Sequence, residues 1–240
     1  MSLFSRTTTL KESGFYDQLT DHHSHILYGV DDGIKELSHS LTVLSYFEKL
    51  GLKQVWCTPH VYEDLPNETE KLKERFESLK EAYKGNIDLR LAAEYMLDNE
   101  FSERLDKNDL LPIGEGGDHL LVETSFFNAP SNLDSLLDDI MSKGYYPLLA
   151  HPERYIYMDK DQYKALKERG IKMQLNYTSI VGFYGKEVQE KAVWLLTNGM
   201  YNACGSDIHR ARYATDEKPS IFNGKIKTKW QSQLLAIKSL

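Results

Sequence analysis

Short apolar runs alternate with longer helical patterns along this chain, and almost every apolar run ends in a residue able to bind a metal ion. The first, near Leu19 to Leu27, carries His23-Ser24-His25 and leads to Asp31-Asp32-Gly33. Gln54-Val55-Trp56-Cys57-Thr58 runs into Pro59-His60, and the alternating Ile87, Leu89 and Leu91 run into Ala93-Glu94. His119-Leu120-Leu121-Val122 is followed by Glu123-Thr124, and Tyr146 to Ala150 by His151-Pro152-Glu153-Arg154-Tyr155. Lys172 to Tyr177 offers only Asn176 at the corresponding place, whereas Tyr201-Asn202-Ala203-Cys204 leads to Ser206-Asp207-Ile208-His209.

The intervening stretches have helical periodicity. Leu37, Leu41, Leu44 and Phe47 form a stripe stopped by Gly51, and Leu72, Phe76, Leu79 and Tyr83 form another, with Asn67 and Glu70 spaced as in a capping box. Further helices are expected at Asn99 to Lys107, around Leu133 to Met141, from Asp161 to Arg169 and from Lys186 to Thr197, and one last helix is expected between Lys227 and Leu240. Seven strands in regular alternation with helices call for parallel pairing through right-handed crossovers. Closure explains the recurrence of ligands at strand ends better than an open sheet does, because the C-terminal strand ends of a β/α barrel converge on one face. The expected fold is therefore α/β, a distorted (β/α)7 TIM-like barrel with a metal site at the C-terminal ends of its strands.

A length of 240 residues fits one barrel domain, expected over residues 19–240 behind an N-terminal extension, residues 1–18, that suits an oligomerisation arm or a disordered segment. The net charge of −7 argues against a nucleic-acid partner, which selects for basic surface. Cys57 and Cys204 lie far apart in apolar runs, as in a reduced protein without a disulfide framework. No stretch approaches the roughly 20 apolar residues of a membrane span, and the first residues lack the apolar core of a signal peptide, so a cytoplasmic location is expected.

In His-x-His and Asp-x-His, side chains at i and i+2 point to the same side of a strand. Imidazoles and carboxylates together suit zinc, iron or manganese, and the lack of thiolates argues against a structural zinc site. One histidine at a strand end is ordinarily a hydrogen-bonded structural residue. It is the shared position of His23, His25, His60, His151 and His209, among eight histidines in all, that points to one centre. His22, His39 and His119 read as structural or exposed, and Asp31 as a residue that orients the loop presenting Asp32.

Taken in order, His23-x-His25, Asp32, Thr58-Pro59-His60, Glu94, Glu123, His151-Pro152-Glu153-Arg154-Tyr155 and Asp207-x-His209 resemble the polymerase-and-histidinol-phosphatase (PHP) superfamily. Within it, the run from His25 to Gly33 and the His-Pro-Glu-Arg-Tyr segment are similar to the bacterial PHP-type protein-tyrosine phosphatases of capsule and exopolysaccharide loci. The resemblance spans Asp21 to His209 and implies a barrel holding three divalent metal ions, manganese foremost, with iron or zinc as alternatives. By the same resemblance His23, His25, Glu94 and Asp207 would hold the first ion, and Glu94 would bridge to a second completed by Glu123 and His151. Asp32, His60 and His209 would hold the third. The implied activity is hydrolysis of phosphotyrosine by metal-activated hydroxide, with a bacterial tyrosine kinase that controls polysaccharide synthesis as the expected partner.

Arg154 then suits a bidentate grip on phosphate, with a salt bridge at the barrel rim as the plainer alternative. Related phosphatases carry an arginine after Asp-x-His; here Arg210 and Arg212 are both available, at a spacing that departs from the pattern. The competing readings are a small-molecule phosphatase such as histidinol-phosphate phosphatase, a non-catalytic metal-binding scaffold and an amidohydrolase.

Overall fold

The computed structural model describes residues 6–215 and 220–237. Its first half runs β1 (Thr7–Thr9), β2 (Thr20–Ser24), α1 (Leu37–Leu50), β3 (Gln54–Cys57), β4 (His60–Val61), α2 (Thr69–Ala82), β5 (Asp88–Leu91), β6 (Glu94–Met96) and α3 (Asn99–Lys107). The second half runs β7 (His119–Glu123), α4 (Leu133–Ser142), β8 (Tyr146–Ala150), α5 (Lys160–Glu168), β9 (Lys172–Asn176), the single turn α6 (Tyr177–Ile180) and α7 (Lys186–Thr197). β10 (Ala203–Gly205), β11 (Lys225–Lys227) and α8 (Gln231–Leu235) follow.

β10-β9-β8-β7-β6-β4 form one parallel sheet and β2-β3-β5 another. The two sheets meet where the chain passes from β3 to β4 and from β5 to β6. β3 pairs with β5 as far as Cys57 and Leu91, and β4 pairs with β6 from His60 and Glu94. The interruption falls at Pro59, which has no N–H to give to the ladder; its carbonyl accepts the Glu94 N–H at 3.0 Å. At the other edge Ser24 bridges Ile208 in parallel, the His25 N–H donates to Ile208 O at 3.1 Å, and the Asp207 N–H donates to His23 O at 2.8 Å. The result is a mixed α/β fold with a curled parallel sheet, consistent with a distorted TIM-like barrel.

The apolar side chains sort into two cores by strand alternation. Leu120, Val122, Leu149 and Cys204 belong to a large cluster with helix residues such as Val43, Leu44 and Phe47. Trp56, Ala92, Ile113, Leu121, Leu148, Ala150 and Ala203 form a separate, smaller cluster. Glu123 lies two residues beyond Leu121 and so continues the smaller cluster's face into a polar layer.

Helix ends follow local chemistry. Gly51 stops α1 at φ 103°, and Asp159 and Gln162 form a reciprocal capping box on α5. The expected capping box at Asn67 does not form. α2 starts two residues later with Glu68 at its N-cap, and the Asn67 amide instead donates to Val30 O and His60 O, fastening the segment beside the strand ends. The expected last helix is also shorter, a 3-10 turn at Thr228–Trp230 leading into α8; residues 238–240 lie outside the described ones.

Residues 6–18 of the segment set apart in the sequence as an extension join the core; residues 1–5 lie outside the described ones. β1 pairs antiparallel with β11, and Leu10, Phe15 and Tyr16 are buried in the large cluster. Tyr16 donates its hydroxyl hydrogen to Phe222 O at 2.7 Å, and Phe15, Tyr16, Tyr177 and Phe222 pack edge-on. Among the described residues no helix is long and apolar enough to cross a membrane.

Candidate metal centre

Glu94, the first residue of β6 and fully buried, sits at the middle of the ligand cluster. Its Oε2 lies 3.1 Å from His23 Nε2, 3.3 Å from His25 Nε2 and 3.1 Å from His60 Nδ1, while Oε1 lies 3.0 Å from His151 Nε2. Asp207 Oδ1 is 3.6 Å from His23 Nε2, 3.4 Å from His25 Nε2 and 3.3 Å from His209 Nδ1. Glu123 stands 3.1 Å from His60 Nδ1 and 3.7 Å from His151 Nε2. Asp32, more exposed, stands 3.6 Å from His60 Nε2 and 3.4 Å from His209 Nε2. All the strand-end residues singled out in the sequence as candidate metal ligands therefore converge.

They fall into overlapping groups whose donor atoms lie within 4.8 Å of one another: His23, His25 and Asp207; His23, Glu94 and His151; His60, Glu94 and Glu123; and His25, Asp32, His60 and His209. Divalent ions fit these groups on two observations. The donors are imidazole nitrogens and carboxylate oxygens, the ligands of borderline and hard cations. Moreover, His60 Nδ1 and Glu94 Oε2 are buried 3.1 Å apart yet neither has a hydrogen-bond partner, an arrangement that is costly unless something else satisfies both atoms.

Local backbone aims several of these groups. His151 and Asp207 adopt the left-handed region at φ 33° and φ 52°, which costs a non-glycine residue about 1–3 kcal/mol where the surroundings impose it. At His151 this turn swings the side chain back toward Glu94, although Ala150 already occupies the inner face. Gly205 lets β10 approach β2, for a Cβ there would stand 2.2 Å from that of His23.

A second layer fixes the imidazoles. His23 Nδ1 meets Gln174 Oε1 at 2.8 Å and His25 Nδ1 meets Asp31 Oδ2 at 2.7 Å, leaving both Nε2 atoms directed at the cluster. Asp31 also accepts the Gly33 and His60 N–H groups, so it ties the loop as well as the His25 ring. Asp207 Oδ2 accepts from Arg154 Nη1 at 2.7 Å and from Asn176 Nδ2 at 3.0 Å, with the Tyr184 hydroxyl at 3.4 Å. Sequence reasoning passed over Gln174 and Tyr184. Gln174 was readable as the residue that shares a strand face with Asn176; Tyr184 lies in a loop with no periodic signal.

Electrostatics follow from this crowding. Burial raises the cost of ionising Glu94, but His23 and His60 beside it, with the bond from His151, hold its carboxyl well below the usual range. Asp207 is likewise buried and held well below by His23, His25 and Arg154. Burial and His25 oppose protonation of His60, yet Glu94 and Glu123 lift its pKa to about 10. The carboxylates thus favour a proton on His60 in the metal-free protein, and a cation bound there would displace it.

Of the arginines, Arg154 bonds a side chain of the cluster, that of Asp207. Arg210, exposed, donates to the carbonyls of Asp32 and Gly33 and so pins the Asp32 loop, and Arg212 donates to the Tyr213 hydroxyl at 3.1 Å with its guanidinium over that ring. Tyr155 and Tyr177 are fully buried and serve packing. His22 is buried, His39 exposed on α1, and His119 half-buried against Asp118, all outside the cluster. Two adjoining cavities, of about 340 and 410 Å³, open over the cluster and share Asp32, Arg154, Asp207 and His209.

The fold and the donor set define a class: an α/β protein with a curled parallel sheet and histidine–carboxylate groups suited to divalent metal ions. More specifically, the chain belongs to the capsular polysaccharide synthesis family CpsB/CapC, whose model matches residues 19–231. It is 28% identical over 203 residues to the tyrosine-protein phosphatase YwqE of Bacillus subtilis, covering 81% of this chain and 78% of that one. It is 26% identical over 202 residues to the tyrosine-protein phosphatase CpsB of Streptococcus pneumoniae, covering 80% and 83%. Among solved structures it resembles one described as crystal structures of YwqE from Bacillus subtilis and CpsB from Streptococcus pneumoniae, unique metal-dependent tyrosine phosphatases. That likeness has a TM-score of 0.69 and 24% identity over 90% of this chain and 86% of the other.

Proposed function

We propose that this chain is a metal-dependent protein-tyrosine phosphatase whose substrate is a phosphotyrosine protein, in particular a bacterial tyrosine kinase that regulates capsular or exopolysaccharide synthesis, and that it works in the cytoplasm. The observation that carries the reading is the convergence of ligands around Glu94 with Arg154 beside them at an open mouth. Membership of the CpsB/CapC family supports it.

In this reading the two sheets make up one (β/α)7 barrel closed through Ser24 and Ile208, with the centre at its C-terminal mouth. Three ions, manganese foremost, would be shared among His23, His25, Glu94 and Asp207; Glu94, Glu123 and His151; and Asp32, His60 and His209, with His60 also within reach of Glu94 and Glu123. When bound, such ions supply Lewis acidity toward phosphoryl oxygens and bring the ionisation of water near neutral pH.

The protein's own groups do the rest. Arg154 offers planar N–H donors to a phosphate dianion while Asp207 holds its other side. The phenyl ring would lie in the larger cavity against Tyr62, Met96 and Phe127. Arg210 keeps the Asp32 loop in place, and Arg212 on the rim of the smaller cavity meets anionic substrate. No side-chain nucleophile is called for: Cys57 and Cys204 are buried, and burial pushes the Cys57 thiol far up.

The test is to quantify bound metals, then assay a phosphotyrosine peptide against histidinol phosphate with manganese, alongside His151→Ala and Arg154→Ala. Manganese-dependent release from the peptide, lost in both variants, is expected. Preference for histidinol phosphate would overturn the substrate, and no metal with no turnover of either would overturn the reading.

A further inference from the structure

Arg154 lies over two aromatic rings. Its guanidinium carbon lies 4.1 Å from the centre of the Phe126 ring and 4.5 Å from the centre of the Tyr184 ring. Phe126 comes from the segment after β7, and Tyr184 from the loop before α7, so two separate parts of the chain close on one side chain. Tyr184 is tied in place through its hydroxyl, which lies 3.0 Å from Asn176 Nδ2 and 3.4 Å from Asp207 Oδ2. Phe126 is tied through its carbonyl, which accepts the Ile156 N–H at 2.9 Å, two residues from Arg154 itself.

A guanidinium carries all its donors in its own plane, so two rings packed within 4.5 Å of its carbon restrict the planes in which it can donate. One edge donor is taken by Asp207 Oδ2 at 2.7 Å. The side chain borders both cavities over the cluster, where an unclamped arginine would have Asp207, Asp32 and Glu123 as competing anionic partners.

We infer that Phe126 and Tyr184 are positioning residues that hold Arg154 edge-on to the substrate phosphate. The inference rests on the phosphatase reading for its biological meaning, but its structural content is the coupling of both rings to Arg154. Phe126 also packs against His151 at 5.5 Å between centres, and Tyr184 reaches Asp207 through its hydroxyl. The cycle with Arg154, and Tyr184→Phe, which drops the hydroxyl but keeps the ring, separate effects on the arginine from effects on His151 and Asp207.

The experiment is a double-mutant cycle on the manganese-loaded protein: Phe126→Leu and Tyr184→Leu, each alone and combined with Arg154→Ala, with Tyr184→Phe as the conservative variant. Two quantities are read, kcat/KM for p-nitrophenyl phosphate and the affinity for inorganic phosphate by calorimetry. Each leucine variant is expected to lose about tenfold in both, from the lost face contact, and to lose nothing further once Arg154 is gone. Tyr184→Phe keeps the ring and should stay within about twofold of the unaltered protein. Equal losses with and without Arg154, or no loss in its presence, would overturn the inference. If the unaltered protein shows no phosphatase activity, the functional reading fails, while the phosphate-binding cycle still decides the clamp.

Discussion

Replacing Gly205 by alanine tests whether the closeness of β10 and β2 sets the metal centre. An alanine Cβ there would stand 2.2 Å from His23 Cβ, 2.8 Å from His23 N and 3.0 Å from His23 Cα, where 3.4 Å is ordinary contact. Two of these three atoms are backbone, so no rotamer change relieves the overlap; the strands must part by about 1 Å, an overpacking that costs about 1–3 kcal/mol. In a chain of this size that is a fall in Tm of about 2–12 °C. The same displacement acts on His23 and, through the Asp207 N–H to His23 O bond, on Asp207. A misplacement of ~1 Å at a catalytic constellation costs ~100-fold in rate. Calorimetric melting, bound-metal analysis and kcat/KM on a phosphotyrosine peptide should show a moderate loss of stability beside a disproportionate loss of metal and activity. Native melting, metal content and rate in Gly205→Ala would refute the argument that this glycine is required by the approach of the two strands.

Three further outcomes are expected. Gln174→Leu keeps the bulk but removes the partner of His23 Nδ1, and should weaken metal binding or activity by about 10–100-fold with little change in fold, read by metal titration and circular dichroism. Chelation should lower Tm reversibly, since a cation held at a thousand times its Kd stabilises by about 4 kcal/mol, and restored manganese should return it; an unchanged Tm would speak against binding at the cluster. His60, lifted to about 10 in the metal-free protein, contributes stability there that is fully present below its ordinary pKa of about 6.5 and is lost as pH rises through about 10. Metal must displace that proton, so apparent metal affinity should climb with pH across the same window; an affinity independent of pH would contradict the arrangement.

The sequence by itself determined much of the candidate site. Strand–helix alternation located the strands because apolar period and helix stops are local signals, and β8 and α3 lie where those signals put them. The convergence of these residues was legible for a simple reason: imidazoles and carboxylates at strand ends have no packing role that would otherwise account for them together. The CpsB/CapC match spans the same stretch. What only the tertiary structure decided is whatever depends on approach across the chain. Gln174 and Asp31 act by holding His23 and His25, which no spacing reveals, and Tyr184 reaches Asp207 and Arg154 from a loop. Asn67 spends its amide on two distant carbonyls instead of a helix cap, because two carbonyls beside the strand ends outbid a local turn. Residues 7–18 gave no signal of their own, yet they pair with β11 and bury Leu10, Phe15 and Tyr16, since an edge strand and aromatic contacts are specified by their partners and not by themselves.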